Sequence, residues 1–179
     1  MAEDSADGHR AGETGLIIKI PEAEPVVGGW RKEFDSAAAV GIPAHVTVLH
    51  PFLPHDRISA QVLAELGELF SAHSAFDIGF ESFGRFPGVL HLAPAPEDRL
   101  RSLTSAVADR WPEAPPYQGR FADVVPHLTV AYSQDPSVFD EIEADGSDRL
   151  PVTARVASVH LLVFDGTVWH ERAEFALRG

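Results

Sequence analysis

The chain predicts a mixed fold of helix and strand built from two diverged repeats, and three observations predict it. The tripeptide pattern His-x-Thr occurs twice, as His45-Val46-Thr47 and His127-Leu128-Thr129, each inside a short run of β character. The elements around the two copies follow one order: strand, helix, HxT strand, helix, strand. The 179-residue length suits one well-buried core, or two small lobes sharing one. The repeated order predicts that the two HxT strands are related by an approximate two-fold, although the residues themselves show no detectable repeat.

The elements follow in order. MAEDSADGHRAGET, residues 1–14, is polar and acidic and reads as a disordered tail. LIIKI (Leu16 to Ile20) reads as a strand. Pro25 suits the first turn of a helix whose stripe is Val27, Trp30 and Phe34. The first motif strand, HVTVLHPF, comes next. Asp56 is the expected N-cap of a helix with the stripe Ile58, Val62, Leu66, Leu69 and Phe70. FDIGFESF (Phe76 to Phe83) alternates as a strand, and Gly84-Arg85-Phe86-Pro87 reads as a turn. In the second half VLHLA (Val89 to Ala93) is a strand. Leu100, Leu103, Val107 and Trp111 mark a helix, a Pro-rich loop leads to HLTVAY, and Asp135-Pro136 opens a short helix through Ile142. VTARVASVHLLVF and VWHERAEFAL are the last two strands, joined by the hairpin signal Asp165-Gly166.

Composition removes several function classes. With no cysteine there is no disulfide framework, thiolate metal site or cysteine nucleophile. No apolar run approaches the roughly 20 residues that span a bilayer, and no secretion signal is legible, so a cytoplasmic location is the expectation. A net charge of −13 with two lysines argues against binding a long nucleic acid. A phosphorylated ligand should be small or held by one end. Nothing in the sequence demands more than a monomer.

Side chains alternate along a strand. His45 and Thr47 should therefore share one face, with Val46 and Val48 behind them; His127 and Thr129 should do the same, backed by Leu128 and Val130. One neutral and one protonated imidazole can act as base and acid around neutral pH, each role contributing about 10²–10⁴ in rate. The two hydroxyls can donate to non-bridging phosphate oxygens as charge builds up on them. That chemistry attacks a phosphodiester and needs neither metal nor cofactor. A metal reading is weaker, because neither motif brings a carboxylate at i+2 or i+4 and threonine is a poor ligand for zinc.

HVTVLHPF and HLTVAY, 82 residues apart, resemble the paired signatures of the 2H phosphoesterase superfamily, in its 2′-5′ RNA ligase-like and cyclic phosphodiesterase branch. The resemblance covers about Leu16 to Leu177. It implies an α+β, two-lobed fold with pseudo-two-fold symmetry, mainly antiparallel sheets around a central cleft and helices outside. The single bilobal domain would span 15–179, with lobes of roughly 15–84 and 85–179 and room for strands to be exchanged between them. It also implies a metal-independent enzyme that hydrolyses or reversibly ligates at a 2′,3′-cyclic phosphate on a nucleotide or RNA end, or opens a related small cyclic phosphate. Carried over by motif, His45 and His127 are catalytic and Thr47 and Thr129 bind phosphate; His45 is assigned as acid and His127 as base, in an order the sequence leaves open. The chain departs from several RNA-processing relatives, which carry a basic residue soon after the second motif. Here Ala131, Tyr132, Ser133 and Gln134 come after it, which weakens the case for RNA ligation.

Arg85, Arg120 and Arg155 are candidates for the missing charge, each with a plainer reading as a surface or ion-paired residue. Phe86 is a candidate for stacking on a base. His50 should face away from His45, and Tyr132 away from the catalytic face. His55 and His73 fall in a turn and near a helix end, while His91, His160 and His170 fall in strands where they could line the cleft, and read as structural because no second motif surrounds them. The main alternative is a non-catalytic module that keeps the cleft and binds a nucleotide or phosphorylated metabolite; a metal-dependent hydrolase is a distant third.

Overall fold

A computed structural model describes residues 8–179. The chain runs β1 (Thr14–Lys19), α1 (Glu24–Phe34), α2 (Ser36–Ala39), β2 (His45–Leu49), α3 (Ala60–Ser71), β3 (Phe76–Phe86), β4 (Val89–Ala95), α4 (Asp98–Arg110), β5 (Leu128–Tyr132), α5 (Pro136–Gly146), β6 (Val152–Val156), β7 (Ser158–Phe164) and β8 (Trp169–Ala176). The expected order of elements is present in both halves.

Two antiparallel four-stranded sheets result, ordered β2-β1-β7-β8 and β5-β4-β3-β6. Each HxT strand is the edge of its own sheet, with the first strand of its repeat beside it. The two edges lie against each other, and the sheets together curl into a half-barrel. One core serves both sheets. Ile18, Val46 and Leu161 of the first and Phe80, Leu90 and Leu128 of the second belong to the same buried cluster, with Val27, Leu66, Phe70 and Leu103 from the helices. Burying a side chain of that kind contributes about 1.5–3 kcal/mol, so the apolar side of each HxT strand locks its register.

The structure corrects several expectations. β3 runs on to Phe86, and the turn is Pro87-Gly88, where Gly88 takes φ +74°. β3 pairs within the second sheet while β7 and β8 pair within the first, so each sheet takes strands from both halves of the chain. VTARVASVHLLVF is not one strand: β6 pairs with β3 and β7 with β1, and the segment breaks at Ala157 where it crosses between sheets. Helix α3 starts later than expected, capped by Ser59, whose Oγ accepts the Val62 N–H at 3.2 Å; Asp56 lies exposed in a single 3₁₀ turn. Buried Ile58 intervenes. Of the expected tail, residues 1–7 lie outside the described residues. Residues 8–14 are packed: the Gly12 N–H donates to Phe164 O at 2.8 Å, and the His9 ring sits 5.1 Å from Trp169.

Candidate active site

Both motif histidines are oriented by the same local device. His45 Nδ1 lies 2.8 Å from Pro43 O, and His127 Nδ1 lies 2.8 Å from Val125 O. A carbonyl only accepts, so each Nδ1 carries the proton and Nε2 of each neutral ring is the unprotonated nitrogen. In both copies the carbonyl is two residues back, in a Pro-containing approach to the strand. Behind the motifs, Val46, Val48, Leu128 and Val130 are 2% exposed or less, while both histidines and both threonines stay half-buried. The alternation read from sequence therefore holds at all four motif positions. The two sets meet where the edges of β2 and β5 adjoin, and the charge of His127 acts on His45.

Alternation fails just beyond each threonine, and in the same way. The β1–β2 register pairs Ile17 with Thr47 but Leu16 with Leu49. The β4–β5 register pairs His91 with Thr129 but Leu90 with Ala131. Each motif strand thus carries one extra residue, a β-bulge that reverses the phase of the residues beyond it. Val48 and Leu49 are both buried, as are Val130 and Ala131. His50 and Tyr132 consequently return to the faces of Thr47 and Thr129, contrary to the expectation that both turn away. A Cβ on Gly15 would sit 3.1 Å from the His50 ring, and His50 Nε2 contacts Glu13 Oε1 at 2.7 Å.

The charge of Arg31, a residue the sequence reading misses, acts on His45. Arg31 is 2% exposed and bonds Asp35 through Nε (3.0 Å) and the Ile42 carbonyl (3.1 Å). Glu24 accepts the Ala44 N–H at 2.6 Å, so α1 grips the segment leading into the motif. Burial, then the Arg31 charge, pushes the His45 pKa down to about 3. Arg31 occupies a core position of the Val27, Trp30, Phe34 stripe with Asp35 four residues on; that pairing is the available signal.

The flanks of the two histidines differ. Beside His127 stand Phe86, edge-on with centroids 5.0 Å apart, and His91 at 5.6 Å. Phe86 and His91 stack at 4.2 Å, and His91 is 5% exposed. Burial, then the His127 charge, lowers the His91 pKa to about 4. Beside His45, in register on β1, stands Lys19, ion-paired to Glu171. His160 Nδ1 approaches the same carboxylate at 3.2 Å, and Ser158 Oγ donates to Glu174 at 2.8 Å. His91 and His160 therefore belong to the site faces, whereas exposed His170 pairs with Asp165 at the hairpin. The three arginines considered for phosphate are committed elsewhere: Arg85 to Glu143 and Asp140, Arg155 to Asp77, and Arg120 to Gln118. Among the described residues, metal-compatible groups converge at His9, Glu13 and His50 and at His160, Glu171 and Glu174; neither includes a motif histidine.

Residues 20–168 match the family model for the 2′-5′ RNA ligase superfamily. The chain belongs to that superfamily. The superfamily fold recurs in solved structures. Escherichia coli LigT complexed with 3′-AMP superposes with a TM-score of 0.62 at 16% identity, covering 95% of this chain and 100% of that one. The apo form of E. coli LigT gives 0.61 at 18% identity, covering 96% and 100%. TT0787 of Thermus thermophilus gives 0.59 at 20%, covering 93% and 98%. At such identities the likeness establishes the fold alone. No match is found among curated proteins. No helix among the described residues is long and apolar enough to cross a membrane.

Proposed function

We propose that the chain is a phosphoesterase that opens a 2′,3′-cyclic phosphate on a nucleotide or a short RNA end, by proton transfer between two imidazoles. The observation that carries this reading is the matched pair of Nδ1–carbonyl contacts, which orients two imidazoles from adjoining strands alike while Thr47 and Thr129 share their faces. The low pKa of His45 supports exchanging the roles expected from sequence. His45 stays neutral and takes a proton from water through Nε2. The water oxygen bonds to phosphorus, and the bond from phosphorus to the ribose 2′ or 3′ oxygen breaks. His127, in its imidazolium form, gives its proton to that leaving oxygen. Thr47 and Thr129 donate to the non-bridging oxygens, worth roughly 3 kcal/mol for a good donor. No step needs a Lewis acid.

A small substrate is supported by the charge of −13 and by the surface ion pairs that occupy Arg85 and Arg155. E. coli LigT has been crystallised with 3′-AMP, ATP and NADP+, ligands of the size expected here, and hydrolysis is favoured over ligation. The test is turnover of a panel of 2′,3′-cyclic nucleotides with product position determined, for the unmodified chain and for His45→Ala and His127→Ala. Turnover lost in both variants supports the reading. Turnover retained by the double variant sinks it, and nucleotide binding without any conversion would favour a binding module instead.

A further inference from the structure

Beyond the two motif histidines, the second sheet holds a third histidine that the scheme above leaves idle. His91 is in register with Thr129 on the neighbouring strand, so its side chain emerges on the face that carries Thr129. Its ring stacks on Phe86 and meets His127 at 5.6 Å. Gly84, paired with it across β3, clears the space it occupies: a Cβ there would fall 2.6 Å from Cε1 and 3.0 Å from Nε2. The ring is therefore built into a slot.

Its two nitrogens are in unlike surroundings. Nδ1 is sealed from solvent with no partner in hydrogen-bonding geometry, although the Leu92 backbone acts on the ring, while Nε2 is not sealed. A buried N–H left without an acceptor costs more than a buried lone pair left without a donor. The proton of the neutral ring therefore sits on Nε2, and a depressed pKa keeps the ring neutral. This is the reverse of His45 and His127, whose protons are held on Nδ1 by backbone carbonyls.

We propose that His91 is a substrate-binding residue of the second sheet, presenting Nε2–H as a fixed, neutral hydrogen-bond donor to a phosphate oxygen held beside His127 and Thr129. The proposal rests on the phosphoesterase reading for its ligand. It adds that the phosphate is gripped asymmetrically, since the position equivalent to His91 in the first sheet, paired with Thr47, is Ile17.

The experiment measures binding, so that its outcome is separate from turnover. Calorimetry with inorganic phosphate, adenosine 3′-monophosphate and adenosine compares the unmodified chain with His91→Phe, His91→Gln and Gly84→Ala. Phenylalanine keeps the ring in its slot and removes the donor; affinity for both phosphate probes should fall roughly 10-fold, as expected for a lost hydrogen bond to a charged group, while adenosine is unaffected. Glutamine should recover most of the loss, and Gly84→Ala, which displaces the ring, should reproduce it. A long-range ¹⁵N spectrum should place the proton on Nε2 and show that nitrogen shifting on phosphate addition. Unchanged phosphate affinity in His91→Phe overturns the proposal, as does a proton on Nδ1 or a failure of the unmodified chain to bind either phosphate probe. Should the chain bind phosphate in a His91-dependent way yet open no cyclic nucleotide, the phosphoesterase reading fails and the donor stands.

Discussion

The two halves of the candidate site share their motif residues and differ in almost everything that surrounds them. In each, a carbonyl two residues back holds the imidazole, a threonine shares its face, and a bulge beyond it turns one more polar side chain into the site. The first half then sets His45 against a buried Arg31–Asp35 pair and places Lys19, Glu171 and His160 nearby. The second sets His127 against two stacked rings, Phe86 and His91. Repetition thus supplies two imidazoles of matched geometry, while the divergent flanks give them unlike surroundings, with burial and the Arg31 charge lowering the pKa of His45.

The sharpest way to break this comparison is to remove the shared parts. His45→Ala and His127→Ala should each lower kcat/KM by at least about 10²-fold while leaving the thermal midpoint nearly unchanged. Losses of unlike size would mean that the two histidines do not act as one acid–base couple. Thr47→Val and Thr129→Val should each cost roughly 10²-fold in kcat, and steady-state kinetics would show whether the two hydroxyls are equivalent.

The first-half flank is tested by Arg31→Leu. Removing one partner of a buried ion pair should destabilise the fold by about 3–5 kcal/mol, read in denaturant titration. In the surviving folded fraction the His45 pKa should rise, moving the acid limb of the kcat/KM profile to higher pH. The second half has no corresponding arginine, so the opposite limb of the profile should stay in place.

Stability should also depend on pH through the buried imidazoles. Folding lowers the pKa of His45 to about 3 and of His91 to about 4, and lowers that of His160. Between the ordinary histidine value of 6.5 and those folded values, the unfolded chain binds more protons than the native one. Stability should therefore be full above about pH 6.5 and fall as pH drops. Glu13 acts in the same direction at lower pH. Burial raises its pKa, but hydrogen bonds from His50 and His9 outweigh that and hold it well below the carboxylate range. Urea midpoints measured between pH 8 and pH 4 would contradict this if they stayed flat. The smallest effect belongs to the surface: Arg155→Ala removes an exposed pair with Asp77 and should change stability by less than about 1 kcal/mol, with turnover unaltered.

Much of this is legible in the sequence because local patterning carries it. Apolar residues at period two fix the register of β2 and β5 once a core is there to receive them, and the repeated element order anticipates two related HxT strands. The missed features are non-local. Bulges beyond Thr47 and Thr129 arise from pairing with β1 and β4, so nothing within either strand reveals that His50 and Tyr132 change face. Arg31 escapes notice because its partners, Asp35 and the Ile42 carbonyl, lie beyond the apolar stripe that defines the helix. Phe86 reads as a turn residue, although strand pairing with Val89 places it in β3, beside His127.

By itself, then, the sequence determined the superfamily and the candidate residues, because a paired His-x-Thr in alternating strands is a short-range pattern. Only the tertiary structure decided how those groups are tuned. Strand exchange, the bulges and the burial of Arg31 bring together residues far apart in the chain, and pKa, tautomer and cleft lining depend on distance in space.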